Sequence, residues 1–363
     1  MGPVIPNTRL IDFKFDRDLL NKAYTSHYFI KTCKIIELHA PSHSVIMQFT
    51  HFSKTPIMVC GTSEVLALLE FCLSRKELKQ LKIYYVPDGH VIKPKEALFA
   101  IEGPYEIFGW LENIIDSILA RRSSVATNCY NVLNVINDEQ KVIYMSDRSD
   151  DYSLQPYDGY AAAVGGMQYF VTQKQVEFLK DINYECKVMG SMPHALIQQN
   201  NGRVDLACEM FAQTFPNDPL IAVIDYNNNV LNDLEQLRYM FDRLYAVRID
   251  TAKDLIDNSL LSTFDNVRNH DLHGCNPYLI DLVREYLDNN GGEHIKIIAS
   301  SAIDLNSIKN FNKHNSAIDF YGIGTYLTHL SIHITADLVC LDNVYGAKVG
   351  RKIAKNFAEM TLY

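Results

Sequence analysis

The sequence predicts an α/β protein: an irregular (β/α) barrel with an N-terminal α/β sandwich domain completed by the C-terminal tail. From Lys141 onward, short apolar β-branched runs alternate with helical patterns, as parallel strands with crossover helices require. Before Lys141, strand-like runs separated by Pro/Gly turns dominate, and that texture returns after Thr335. With 363 residues, 47% of them hydrophobic, the chain can bury two cores. We therefore expect residues 1–115 and 336–363 to form a discontinuous sandwich and residues 116–335 the barrel.

Taken in order, IIELHA, HSVIMQFTHF and IMVCG read as strands, and SEVLALLEFCLSRKELKQL as a helix with apolar residues at helical spacing. YYVPDGHVIKPKEALFAIEGPY reads as strands joined by turns, and a long helical pattern follows Gly109. The barrel runs are KVIYMSDRS, CKVMGSM, LIAVIDYNN, LYAVRIDT, HIKIIASSA and AIDFYGIGT, about six units. Between them, LNDLEQLRYMFDRL sets Leu231, Leu234, Leu237, Phe241 and Leu244 on one face. NPYLIDLVREYLDNNGG opens with the cap-and-proline pair Asn276-Pro277 and closes at Gly291-Gly292. Pro193 is expected in the first turn of a helix that starts at the end of VMGSM.

A formal net charge of -9 argues against general nucleic-acid binding. The eight cysteines form no C-x-x-C pair, which fits reduced thiols and a cytoplasmic protein. No run approaches the ~18 apolar residues of a membrane span, and MGPVIPNTRLIDF lacks a signal peptide's pattern. HDLHGC gathers His270, His273 and Cys275 but offers no fourth ligand, so no metal-binding residues are assigned.

In a parallel barrel the active site lies at the C-terminal ends of the strands. Those ends read Asp147-Arg148, Gly190-Ser191 with His194, Asp225, Arg248-Asp250, Ser300-Ser301 and Gly322-Gly324-Thr325. The last two tips sit where barrels hold phosphate, and their small residues let backbone N–H groups approach an anion. The carboxylates suit ribose hydroxyls or Mg²⁺. A phosphorylated sugar fits this set. Each feature also has a plainer reading: Asp225 as a helix cap, Arg248-Asp250 as a surface pair, GIGT as a tight turn, Arg121-Arg122 as surface charge.

Several strings together resemble the nicotinate phosphoribosyltransferases of the type II phosphoribosyltransferase family, in its compact form. They are TSHYFIKT, VCGTSEVLALLE, IEGPYEIFGWLENIIDSILARRSSVATN, QPYDGYAAAVGG, GSMPHALI, VRIDT, SSAID, YGIGT and AKVGRK, in family order over nearly the whole chain. The resemblance implies that nicotinate and phosphoribosyl pyrophosphate give nicotinate mononucleotide and pyrophosphate. It implies Mg²⁺, ATP as coupled co-substrate, a role in NAD biosynthesis, and a homodimer with sites near the interface. It implies that Tyr28 packs on the pyridine, that Ser191 and Arg248 meet substrate and that Asp250 holds ribose. Arg121 would reach a carboxylate across the dimer; from the strand tips, Arg148 is expected to bind substrate and Asp225, with Asp250, to serve catalysis. Ser300, Ser301, Gly322, Gly324 and Thr325 would hold phosphate, and His194 would become phosphorylated. Two strings depart from the family: Ser300-Ser301-Ala302 replaces a Ser-Gly-Gly tip, and Thr251-Ala252-Lys253 replaces Ser-Gly-Asp.

Placed at a helix N-terminus, His194 is expected to stay neutral. Three other readings compete. One is quinolinate or nicotinamide transfer on the same fold. Another is an aldolase-like lyase, disfavoured because no tip carries a lysine. The third is a non-catalytic nucleotide-binding barrel.

Overall fold

The computed structural model describes residues 8–39, 43–263 and 271–363. Its strands are β1 (Ser44–His51), β2 (Ile57–Met58), β3 (Lys82–Tyr85), β4 (Val91–Ile92), β5 (Ala97–Pro104), β6 (Lys141–Tyr144), β7 (Tyr169–Phe170), β8 (Lys187–Val188), β9 (Ile221–Val223), β10 (Ala246–Ile249), β11 (Lys296–Ala299), β12 (Phe320–Ile323), β13 (Ile334–Leu341), β14 (Val344–Tyr345) and β15 (Thr361–Leu362). Six form an antiparallel sheet in the order β14-β13-β1-β5-β3-β15, so the C-terminal strands complete the N-terminal sheet as expected. Seven form a parallel sheet in the order β8-β7-β6-β12-β11-β10-β9, an open half-barrel with β8 and β9 at its edges. The strands β2 and β4 pair separately.

The helix Glu112–Leu133 runs through both cores. Ile114, Ile115 and Leu119 join the cluster under the antiparallel sheet, and Val125, Ala126, Cys129 and Val132 join the barrel cluster. Arg121 and Arg122 sit between these two stretches. Their side chains are 17% and 7% exposed, so neither is surface charge. Arg122 forms a two-pronged pair with Glu64, Nε to Oε2 at 2.7 Å and Nη2 to Oε1 at 3.1 Å. Asp88 accepts from the Thr62 N–H and hydroxyl and from the Tyr160 hydroxyl. The VCGTSEV and QPYDGY strings thus carry the polar joint between the two halves.

Helix signals hold where side chains reach their own backbone. Asn276 accepts from the Leu279 N–H to start the helix Pro277–Asn289, a cap worth about 1 kcal/mol. Gly291, at φ +81°, follows that helix in the left-handed conformation glycine favours. The face of LNDLEQLRYMFDRL is buried at Leu234, Leu237, Phe241 and Leu244, with Leu231 partly so.

Four expectations are corrected. SEVLALLEFCLSRKELKQL is two helices, Thr62–Cys72 and Arg75–Leu78, because Leu73 is extended and Ser74 caps the second in a capping box with Glu77. IIELH is no strand: His27–His39 is one helix, because Phe29 and Cys33 at i,i+4 bury its inner face, and Ala40 lies outside the described residues. Pro193 is the N-cap of the helix His194–Gln199, one position before its first turn. The barrel sheet has seven strands, since the two-residue β7 was not among the six runs.

Candidate active site

Side chains alternate between the two faces of a strand, and this period carries the site. Ile143, Ile221, Ala246, Ile298 and Phe320 pack in one cluster inside the half-barrel. Two and four residues past Ile143, Ala246, Ile298 and Phe320 come Met145 and Asp147, Arg248 and Asp250, Ser300, and Gly322 and Gly324. Val223, two past Ile221, packs instead in the larger barrel cluster. The register supports convergence: Arg248 lies opposite Val223 on one side and Ile298 on the other, and Gly322 lies opposite Ile143. Above the cluster is a cavity of about 890 Å³, large enough for a nucleotide-sized ligand. Its lining includes Arg148, Ser191, His194, Arg248, Asp250, Ser300, Ser301, Gly322, Gly324 and Thr325.

Arg248 Nη2 lies 3.3 Å from Asp250 Oδ2, and Ser300 Oγ donates to Asp250 Oδ1 at 2.8 Å. The pair is therefore held inside the cavity and is no solvated surface pair. Arg248 Nε is buried with no partner among the described residues, leaving a donor for a ligand. The Ser300 hydroxyl also lies 3.0 Å from the Ile249 carbonyl, so it is committed to protein partners.

The departure from Ser-Gly-Gly leaves the backbone strained. Ser301 and Ala302 both adopt positive φ, +74° and +52°. The tip keeps the left-handed conformation that glycines favour, at about 1 kcal/mol or more of strain per residue. Gly322 and Gly324 have a packing reason as well. A Cβ on Gly322 would stand 2.7 Å from Met145 Sδ, and one on Gly324 2.8 Å from the Met145 carbonyl oxygen.

His194 is the first residue of its helix, and its Nε2 lies 3.1 Å from Asp225 Oδ1 and 3.2 Å from Oδ2. Asp225 caps no helix here; Asn229 caps Val230–Leu237. The hydrogen bond to Asp225 pushes the His194 pKa above its ordinary value. The charges of Asp225 and Asp250 add to it, against burial and Arg248. The direction is opposite to the one the helix N-terminus alone would give. A full carboxylate at hydrogen-bond distance outweighs the dipole of a six-residue helix.

Tyr28, Arg121 and Asp225 are not among the cavity's lining residues, and Asp225 reaches the site through His194. Tyr28 is 62% exposed at the start of its helix, and Arg121 is paired with Asp150 and Asp158. Asp147, read at its strand end, lines the cavity, and Asp304, Met145 and Tyr326 line it without having been singled out. Period two from Ile143 would have found Met145. His270 lies outside the described residues; His273 pairs with Asp271 at 2.9 Å. Among the described residues, no group of three His, Cys, Asp or Glu is placed to hold a metal, and no helix is long and apolar enough to cross a membrane.

A parallel half-barrel, joined to an antiparallel sheet through the helix Glu112–Leu133 and carrying its pocket at the strand tips, has the architecture of the type II phosphoribosyltransferase fold. Comparison with known proteins agrees. Residues 28–123 match the family described as quinolinate phosphoribosyl transferase, N-terminal domain. A nicotinate phosphoribosyltransferase of Bacillus subtilis is 24% identical over 249 residues, 67% of this chain and 45% of the relative. The chain thus spans about half the length of that protein. The crystal structure of a nicotinate-nucleotide pyrophosphorylase from Pyrococcus furiosus superposes with a TM-score of 0.78 at 23% identity, over 94% of this chain and 81% of the other. Human nicotinic acid phosphoribosyltransferase superposes at 0.65 and 13% identity, over 91% and 77%. The chain has the fold of the type II phosphoribosyltransferase family.

Proposed function

We propose that this protein is a pyridine phosphoribosyltransferase of NAD biosynthesis, converting nicotinate and phosphoribosyl pyrophosphate to nicotinate mononucleotide and pyrophosphate. One observation carries the reading: a cavity at the barrel tips joins Arg248, with its free buried donor, to the Asp225-held His194 and the strained Ser301-Ala302 tip. The pyridine nitrogen forms the bond to C1 of ribose with its own lone pair, while the C1–O bond breaks and pyrophosphate leaves with the electrons. No proton has to be removed, so no general base is required. Arg248 and Arg148 offset charge on the departing or incoming anions, and Asp250 meets ribose hydroxyls. Asp147 and Asp304 are carboxylates suited to Mg²⁺, which binds through one or two such groups plus phosphate oxygens and would neutralise the leaving group.

ATP coupling rests on His194. With Nε2 hydrogen-bonded to Asp225, Nδ1 keeps the lone pair that attacks the terminal phosphorus of ATP. A phosphorus–nitrogen bond forms and ADP leaves. The cavity's two arginines stand against three carboxylates, Asp147, Asp250 and Asp304, which favours a monocarboxylate over quinolinate. Quinolinate remains the second reading, on the match of residues 28–123.

The test is turnover of nicotinate, nicotinamide and quinolinate in parallel, with phosphoribosyl pyrophosphate and Mg²⁺. Mononucleotide from nicotinate supports the proposal, and no product from any of the three refutes it. His194→Ala is expected to abolish ATP stimulation while leaving slow ATP-independent turnover.

A further inference from the structure

Arg121 is fully occupied within its own chain. Its Nε and Nη2 reach the two oxygens of Asp158 at 3.1 and 2.6 Å, and its Nη1 reaches Asp150 Oδ2 at 2.7 Å. Asp158 is almost fully buried, at 6% side-chain exposure, and is shared with Arg122 at 3.3 Å. Asp150 is different: it is 43% exposed and belongs to the segment between β6 and the helix Gln155–Val164. That segment also carries Asp147, Arg148 and Ser149, which line the cavity.

The segment is anchored at both ends. Ser146 Oγ donates to the Gly324 carbonyl at 2.9 Å, and Gln155 Nε2 donates to the Asp147 carbonyl at 3.0 Å. Between Asp147 and the helix, the side-chain tie from this segment to the rest of the described residues is Asp150 to Arg121. Asp150 adds a third carboxylate, after Glu64 and Asp158, to a cluster holding two arginines. It is the most exposed of the three, so its link is the one that opens at least cost.

We propose that Arg121 is a positioning residue acting in its own chain: through Asp150 it clasps the β6 loop and sets Asp147, Arg148 and Ser149 at the cavity mouth. The link to substrate binding rests on the phosphoribosyltransferase reading. A guanidinium already two-pronged on a buried carboxylate presents its remaining edge in a fixed direction, toward Asp150. Its cost to the loop is one exposed ion pair, so the clasp biases the loop without making it rigid.

Asp150→Asn tests this without disturbing the buried Arg121–Asp158–Arg122–Glu64 network. Two measurements are made on the full chain: hydrogen exchange of the loop amides at 146–151, and steady-state kinetics with nicotinate and phosphoribosyl pyrophosphate. Exchange is expected to quicken about fivefold in the loop alone, the size of one exposed ion pair. KM for at least one substrate should rise about threefold with kcat unchanged, since fewer molecules hold the binding-ready loop. Asp150→Glu should restore most of both. A direct role for Arg121 on a substrate carboxylate gives the opposite result: freed from Asp150, it would leave KM unchanged or lower. Unchanged loop exchange, or faster exchange with unchanged or lowered KM, overturns the proposal. If the wild-type protein shows no turnover, the function proposed above fails, while the exchange comparison still decides the clasp.

Discussion

The His194 imidazole meets the Asp225 carboxylate through Nε2, 3.1 Å from Oδ1, although 31 residues separate them in sequence. The contact fixes which ring nitrogen faces the carboxylate, and it favours the charged ring. A nucleophilic histidine needs the neutral ring. ATP stimulation should therefore climb as pH rises through the raised His194 pKa. Asp225→Asn removes both the charged acceptor and its field, so that limb should move to lower pH. The maximum should also fall, by about tenfold, because the ring loses its orientation. Initial rates with and without ATP from pH 5.5 to 9 measure both. A limb that stays in place would show that Asp225 does not set the titration.

The Ser301-Ala302 tip gives a stability prediction. Ala302 at φ +52° carries strain that glycine does not, against the greater freedom glycine has when unfolded. Ala302→Gly should stabilise the protein by about 0.5–1 kcal/mol. Urea unfolding of the two proteins reads this as a higher midpoint at constant m-value. A midpoint that falls would mean that the observed φ is not the conformation held in solution.

Arg248 should not tolerate lysine. Its Nη2 lies beside Asp250 while its buried Nε is unpartnered, so two edges of one planar group face different neighbours. A lysine keeps the charge and loses the fork. With one charged hydrogen bond worth about 1.5–3 kcal/mol, Arg248→Lys should lower kcat/KM roughly 10- to 100-fold. Thermal unfolding should change little, which separates a lost ligand contact from a damaged fold.

The strand tips were legible because period two does not depend on distant residues. Arg248 and Asp250, or Gly322 and Gly324, share a face wherever their strand lies, and an apolar run marks the strand. Ile35 and Ile36 misled for the complementary reason. Their β-branched pair looks like a strand, whereas the burial of Phe29 and Cys33 against neighbours far along the chain makes that segment a helix. The direction of the His194 pKa shift and the commitment of the Ser300 hydroxyl to Asp250 were not legible. Both depend on a partner 31 or 50 residues away, which no local pattern encodes.

That same helix, His27–His39, carries the last prediction. Its inner face is closed by Phe29 and Cys33, at 7% and 3% exposure. On the opposite side Tyr28, Ile35 and Leu38 are each about 60% exposed. At 100° per residue, Tyr28 and Ile35 nearly eclipse one another and Leu38 lies within one side-chain width, so the three share one face, with Lys31 between them. A solvent-facing helix surface would ordinarily be polar there. We expect this face to be covered by a second copy of the chain, in the homodimer that the family resemblance implies. Ile35→Glu with Leu38→Glu buries nothing new and leaves Phe29 and Cys33 in place, so the fold should survive. Light scattering behind size exclusion should give twice the 41.4 kDa chain mass for the wild type and the single mass for the double variant. A wild-type protein that elutes as a monomer at all concentrations rules the assembly out. A double variant that stays dimeric moves the interface to another face.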